Sequence, residues 1–181
     1  MNRVGMVIDL SHAGHKTAME VIKYSERPVA VTHANPNAWH ATPRNLHHDL
    51  LQALAETGGM VGFSLYPHHL KSGSECSLEE FADMASNMIQ TYGSKTFGIG
   101  SDLCQGQPDS VVNWMRNGHW RKKPGPTVKF PKPPTWFKDN SDFLGLAKGL
   151  RRSTISDADV ERLVGKNWMS FLEKALVPDE R

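Results

Sequence analysis

The sequence predicts an α/β fold in which parallel strands alternate with helices. Four short apolar runs lack the in–out alternation of a half-exposed strand, and each is followed by a stretch with helical periodicity. The chain has 181 residues, which is enough for one domain with a hydrophobic core. Alternation of this kind favours a parallel sheet that is covered by helices.

The predicted strands are short and almost entirely apolar. They cover residues 4–9, 28–33, 59–65 and 96–101. Unbroken runs of apolar residues are expected of strands that are buried on both faces, as in a parallel sheet.

The predicted helices follow the strands and carry recognisable ends. They cover residues 14–24, 45–57 and 77–92, a segment that opens at Ser156, and a final segment around Trp168 and Phe171. Ser77 and Glu80 have the spacing of a capping box, and Gly93 marks the end of the third helix.

Composition excludes several classes of protein. Hydrophobic residues make up 39% and charged residues 22%, which is typical of a soluble globular chain. The sequence has no apolar run of the ~18 residues that a transmembrane helix needs. The first residues do not resemble a signal peptide, so we expect a cytoplasmic protein. Cys76 and Cys104 are far apart, which excludes a disulfide framework and a cysteine zinc knuckle.

A basic, proline-rich insertion follows the fourth predicted strand. Residues 103–138 contain seven Lys or Arg and one Asp, whereas the remainder has more acidic than basic residues. A connection of this length is typical of a lid, a binding loop or disorder. Its aromatic residues could stack on bases, but the acidic body would repel phosphate. We therefore predict a lid over the strand ends and no nucleic-acid partner.

Polar residues with useful chemistry follow three of the predicted strands. His12 comes after the first strand, His33 ends the second and Asp102 ends the fourth. The carboxyl ends of parallel strands meet on one face, where sites are built. The two histidines are either hydrogen-bonded structural residues or ligands of one metal ion. Asp102 is either a cap or a general acid/base.

Other histidines lie in less informative positions. His47, His48 and Asp49 contain a His-x-Asp triplet, but they fall in the first turn of a predicted helix, so we interpret them as a solvated helix start. His68 and His69 follow the third strand; they could line the site or lie in a surface loop, and we expect the loop. We assign no role to His15, His40 or His119.

Four ordered motifs resemble the renal (membrane) dipeptidase family. They are residues 7–12, 28–35, 43–46 and 98–102, and the segment 165–168 is similar to the start of that family's last helix. The resemblance implies a (β/α)8 metallo-hydrolase barrel, of which this chain would supply about the last four βα units. It also implies one dipeptidase-like domain over residues 1–181, with residues 103–138 as the insertion.

The resemblance also implies an activity and roles for four residues. The family hydrolyses dipeptides with two zinc ions and a metal-activated water. His12 and His33 would be ligands of one of these ions. Arg44 would hold the substrate carboxylate, and Asp102 would be the catalytic acid/base.

Departures from the family pattern leave a second hypothesis open. The family's His-x-Asp pair, bridging Glu and substrate-binding His have no counterpart at the strand ends here. Residues 102–106 also lack the second Asp of the family's D-F-D-G motif. The alternative is a catalytically incomplete half-barrel that acts as an assembly partner or is a truncated product. Half a barrel would leave open strand edges at 4–8 and 96–100, so we expect a homo-oligomer.

Overall fold

The computed structural model describes residues 1–118, 120–123 and 125–178, and its centre is a parallel sheet. Three strands lie in chain order: β1 (Ala30–Val31), β2 (Met60–Phe63) and β3 (Phe97–Ile99). Ala30 pairs with Met60, and Val61 pairs with Phe97. The predicted α/β fold with parallel strands is therefore confirmed. The described residues form a partial domain and no closed eight-stranded barrel.

The first predicted strand, residues 4–9, is wrong as a regular strand. Asn2–Val4 is a 3₁₀ turn, and pairing is limited to a single parallel bridge between Asp9 and Ala30. Ala30 donates its N–H to the carbonyl of Ile8, and Leu10 donates to the carbonyl of Ala30, at 3.0 and 2.7 Å. This segment has a neighbour on one side only among the described residues, so its ladder stays short.

The described residues form seven α-helices. These are α1 (His15–Tyr24), α2 (His48–Glu56), α3 (Leu78–Tyr92), α4 (Asp109–Asn117), α5 (Phe143–Leu150), α6 (Asp157–Glu161) and α7 (Asn167–Ala175). The sequence analysis did not predict α4 or α5. Arg162–Lys166 forms a π turn that joins α6 to α7. The Ser77 hydroxyl accepts from the Glu80 N–H, which confirms half of the predicted capping box, and Gly93 ends α3. The Glu80 carboxylate instead accepts from the Ser72 hydroxyl at 2.9 Å.

Helices cover both faces of the sheet. On one face, α1, α2 and α3 bury the side chains of alternate strand residues, and Phe63 stacks on Phe97 with 4.8 Å between ring centroids. On the other face, Phe171 and Ala175 of α7 pack against Ala30 and Met60. Burial on two faces explains why the strands have no polar alternation.

The edge of β3 is covered by side chains of α7. The Asn167 Nδ2 donates to the carbonyl oxygens of Ser94 and Phe97 at 2.6 and 2.7 Å. The Trp168 indole donates to the Ile99 carbonyl at 2.9 Å. The outward carbonyl groups of the predicted open edge at 96–100 are therefore satisfied in part by donors from a helix about 70 residues later.

The described residues contain neither a helix that could cross a membrane nor a disulfide bond. None of their helices is both long and apolar enough to cross a membrane. Cys76 and Cys104 are both free thiols, in agreement with the expected lack of a disulfide framework. Burial raises the pKa of Cys76 to about 12, so this thiol is structural and unreactive.

Candidate active site

A cavity of about 630 Å³ lies at the carboxyl ends of the strands, and we call it the main cavity. One wall consists of residues that follow the strands. The opposite wall comes from residues 103–138, which we call the flap. The strand-end wall includes His12, Arg44, Tyr66, His69 and Asp102, and the flap wall includes Cys104, Val112, Met115, Arg116 and Phe130.

The imidazoles of His12 and His33 meet beside this cavity. Their Nε2 atoms are 3.1 Å apart and their ring centroids 5.1 Å apart. Two nitrogen ligands of one tetrahedral zinc ion are separated by roughly 3.3 Å, since each lies about 2.0–2.1 Å from the metal. The pair thus fits one edge of a zinc coordination shell. Without a metal, the same distance fits a hydrogen bond between a protonated and an unprotonated nitrogen.

Neighbouring groups keep the His12 ring neutral. Burial lowers its pKa, and the positive charge of Arg44 and the ring of His33 act in the same direction. The carboxylates of Asp102 and Asp9 oppose this effect without cancelling it. A neutral imidazole is the form that binds a metal ion.

A hydrogen-bond chain fixes the tautomer of His33. The Thr32 hydroxyl donates its one proton to Asp9 Oδ2 at 2.7 Å, and the same oxygen lies 3.0 Å from His33 Nδ1. The His33 Nδ1–H must therefore donate to Thr32, which leaves the lone pair on Nε2, the atom that faces His12. Burial opposes the ionisation of Asp9, but hydrogen bonds from Ser11 and Thr32 outweigh it and lower the Asp9 pKa.

His12 and Asp102 share an unusual backbone conformation. Their φ angles are 66° and 53°, and no other non-glycine residue in the described ranges has a positive φ. The left-handed region is costly for residues with a Cβ, and it is enriched at functional sites. Both residues border the main cavity.

Arg44 presents donors that the protein does not use. Its Nη2 donates to the His33 carbonyl at 3.1 Å, and this bond holds the guanidinium beside the histidine pair. Its Nε is buried and has no hydrogen-bond partner. A buried unsatisfied donor is costly, and the guanidinium that carries it lines the main cavity.

His69 is buried, so the expected surface loop at this position is wrong. It ends the 3₁₀ turn Pro67–His69, and only 4% of its surface is exposed. Its Nδ1 lies 2.7 Å from the Ser64 hydroxyl, and its ring stacks on His33 with centroids 6.4 Å apart. Burial, then the charge of Arg44, lowers its pKa to about 3, so His69 is neutral at physiological pH.

Two buried amides hold the turn that carries His69. Asn35 Nδ2 donates to the carbonyls of Ser64 and His69, and Asn45 Nδ2 donates to the same His69 carbonyl at 3.1 Å. The Asn35 N–H donates to Asn45 Oδ1 at 3.0 Å. The sequence analysis assigned no role to these asparagines, although both lie inside the motif segments 28–35 and 43–46.

The His47–Asp49 segment is a solvated helix start, as predicted. His47 precedes the first turn of α2, and Asp49 in that turn accepts a hydrogen bond from His15 at 3.0 Å. Within the described ranges, no three His, Cys, Asp or Glu side chains are grouped so as to hold a metal ion. Residue 119 lies outside these ranges, so the structure does not describe His119.

Curated relatives of the chain are dipeptidases. Dipeptidase verJ of Clonostachys rogersoniana is 36% identical over 175 residues, which cover 96% of this chain and 38% of verJ. An uncharacterized dipeptidase of Schizosaccharomyces pombe is 27% identical over 177 residues, which cover 96% of this chain and 37% of that protein. The chain thus spans less than two fifths of the length of these relatives.

Solved structures share the fold of the described residues. An amidohydrolase from Pseudomonas aeruginosa matches with a TM-score of 0.88 and 29% identity, covering 97% of this chain and 54% of that one. A metallo peptidase from Rhodobacter sphaeroides, liganded with a phosphinate mimic of the dipeptide L-Ala-D-Ala, matches with a TM-score of 0.75. That match has 24% identity and covers 96% of this chain and 44% of the peptidase, so it supports the fold alone.

The family assignment rests on the part of the chain that carries the candidate site. The model of the membrane dipeptidase family, peptidase family M19, matches residues 1–116. This range includes His12, His33, Arg44 and Asp102, and it makes up more than half of the 181 residues. The protein therefore belongs to the membrane dipeptidase family, M19.

Proposed function

We propose that this protein takes part in the metal-dependent hydrolysis of dipeptides. The observation that carries the proposal is the convergence of His12 Nε2 and His33 Nε2, 3.1 Å apart, beside a cavity that Arg44 and Asp102 also line. Family membership gives the reaction class, and the side chains around the cavity supply groups that peptide hydrolysis requires.

His12 and His33 are the residues that would hold a zinc ion. The unprotonated Nε2 of His33 and the neutral ring of His12 fit a divalent metal with nitrogen ligands. The family uses two zinc ions, and these two histidines would serve one of them. When bound, such a metal supplies Lewis acidity that polarises the peptide carbonyl and acidifies a water.

Arg44 would orient the substrate. A dipeptide has a terminal carboxylate, and a guanidinium binds carboxylates through two parallel hydrogen bonds. Because Nη2 is already bonded to the His33 carbonyl, the remaining guanidinium donors beside the main cavity would bind the carboxylate. One side chain would thereby place the peptide bond relative to the histidine pair.

Asp102 would move the proton. Its carboxylate borders the main cavity and acts electrostatically on both His12 and Arg44. As a general base it would take a proton from the water that attacks the peptide carbonyl. It would then donate that proton to the amine nitrogen as the C–N bond breaks and a new carboxyl group forms.

Steady-state hydrolysis of dipeptides, with and without added zinc, tests the proposal. We expect zinc-dependent release of amino acids, and we expect Asp102→Asn to lower kcat by roughly 10²–10⁴-fold with little change in KM. Asp83→Asn, an equivalent change on the exposed surface of α3, is the control. Zinc binding without any hydrolysis would instead support the catalytically incomplete half-barrel.

A further inference from the structure

A second, smaller chamber opens beside the main cavity. Its volume is about 240 Å³, and it shares four lining residues with the main cavity. These are Tyr66, Asp102, Cys104 and Phe130. The proposed acid/base therefore stands at the border between the two spaces, and a substrate beside Asp102 can extend into either. We call the smaller space the flap chamber.

Apolar side chains make up most of the lining of the flap chamber. The strand-end side supplies Leu65 and Pro67, and the flap supplies Leu103, Phe130, Pro131, Pro133 and Phe137. The charged or amide side chains on the flap side, Gln105 and Lys138, are on exposed residues at the rim. A space of this kind binds an apolar group in preference to water.

Contacts with the body of the protein form the chamber before any ligand arrives. The Trp136 indole donates to the Cys76 carbonyl at 2.7 Å, and Phe137 is fully buried. The Ser74 hydroxyl donates to the Lys132 carbonyl at 2.6 Å. Within the flap itself, the Phe130 N–H donates to Asp109 Oδ1 at 3.1 Å. Pre-organised walls lower the cost of binding, since few side chains must be ordered.

We propose that the flap chamber is a specificity pocket for one apolar side chain of the dipeptide. The inference rests on the proposed function and adds a substrate class to it: dipeptides with one aliphatic or aromatic side chain of about the size of leucine or phenylalanine. The occupant follows from the apolar lining, the volume and the shared border at Asp102. The flap is then a wall of the binding site as well as a cover.

Equilibrium binding of three dipeptides tests the pocket. Isothermal titration calorimetry on the metal-free protein would compare Gly-Gly, Leu-Gly and Gly-Leu, because the proposed hydrolysis requires zinc and would otherwise consume the dipeptides during the titration. We expect one of the two leucine isomers to bind about 10-fold or more tightly than Gly-Gly, which is the discrimination that an apolar pocket gives for several carbon atoms. The favoured isomer identifies which residue of the dipeptide enters the chamber.

A substitution that fills the flap chamber, which we call a plug, provides the matched comparison. Leu103→Trp fills the space with an indole, and it should bring the preferred isomer to within about 2-fold of Gly-Gly. Leu103→Phe is a smaller plug that should lose part of the preference. Ser110→Trp adds the same indole on exposed surface outside both cavities, and it should leave the preference intact.

Each outcome separates the pocket from the proposed function. Equal binding of all three dipeptides, or a leucine preference that survives both plugs, would overturn the pocket. Hydrolysis of Gly-Gly together with that result would leave the proposed function standing. A plug-sensitive leucine preference without any hydrolysis would retain the pocket and remove the proposed activity.

Discussion

Two groups of histidines in this protein are alike in composition and different in what they can do. His12 and His33 follow strands and point their Nε2 atoms at each other beside the main cavity, 3.1 Å apart. His15 and His47 lie at helix starts on the surface, where His15 Nε2 is bonded to Asp49 at 3.0 Å. The side chains of His15 and Asp49 are 42% and 57% exposed.

The difference shows that proximity of imidazoles does not by itself make a metal site. At the surface, the nitrogen that could bind a metal already has a carboxylate partner, and the ring of His47 meets His15 edge-on at 5.6 Å. At the strand ends, Thr32 and Asp9 hold the other ring nitrogen of His33, so that Nε2 is directed towards His12. The convergence of the two Nε2 atoms and the fixed tautomer of His33 distinguish the two groups.

The largest expected effect is on zinc affinity. His12→Ala with His33→Ala should weaken zinc binding by more than about 100-fold, because removal of ligands costs more than loss of their supporting partners. His15→Ala with His47→Ala should leave the affinity unchanged. Titration calorimetry measures the zinc affinity of both double variants, and an equal loss of affinity in the surface variant would contradict the difference between the two pairs.

The next effect concerns recognition of the carboxylate. Arg44→Lys keeps the charge but removes the planar fork, and we expect KM for a dipeptide to rise about 10-fold or more with a smaller change in kcat. Arg116→Lys makes the same replacement in the flap wall of the main cavity, and it should change KM much less. If the two variants behaved alike, charge alone would account for the role of Arg44.

A smaller effect tests the hydrogen-bond chain from Asp9 through Thr32 to His33. Thr32→Val removes the hydroxyl between Asp9 and His33 while it preserves the shape of the side chain, and we expect zinc affinity to fall about 10-fold. Thr57→Val is the matched control, because it removes a hydroxyl that donates to the Ala53 carbonyl at the end of α2. Unchanged zinc affinity in Thr32→Val would mean that His33 needs no outer partner.

The smallest effect is on stability in acid. The folded-state pKa of Asp9 lies below its unfolded value of 3.8, so its contribution is complete above pH 3.8 and is lost as the pH falls through the folded value. We expect Asp9→Asn to be less stable than the wild type at pH 7 and to show a smaller further loss below pH 3.8. Urea unfolding at pH 7 and pH 3 measures this, and parallel losses in both proteins would exclude Asp9 as the source.

Much of the architecture could be predicted from local sequence patterns. The strand cores at 30–31, 60–63 and 97–99 and the helices α1 and α3 lie where apolar runs, periodicity and capping residues place them. Segment 4–9 has the same apolar character but forms a single bridge. Strand pairing depends on which segments lie beside a strand in the folded protein, and the sequence of segment 4–9 does not contain that information. Helix α4 lies within the insertion, which the sequence analysis treated as an irregular connection although the residues of α4 are strongly amphipathic. Helix α5 follows the insertion and is short and mainly apolar.

The sequence by itself determined which polar side chains lie near the carboxyl ends of the strands. The positions of His12, His33 and Asp102 left structural and catalytic roles open, and the resemblance of the motifs around them and Arg44 to a known family predicted a metallodipeptidase-like site. The membrane dipeptidase family was also predicted from these motifs, and the comparisons confirm it. The metal roles of the two histidines stay predictions until zinc binding is measured.

Tertiary structure alone decided what surrounds that chemistry. The burial of His69 depends on amides of Asn35 and Asn45, and the cover of the β3 edge depends on Asn167 and Trp168, about 70 residues later in the chain. The flap chamber likewise forms only where Trp136 reaches Cys76, 60 residues earlier. Hydrogen bonds and packing over such separations leave no local pattern in the sequence, so only the folded chain reveals them.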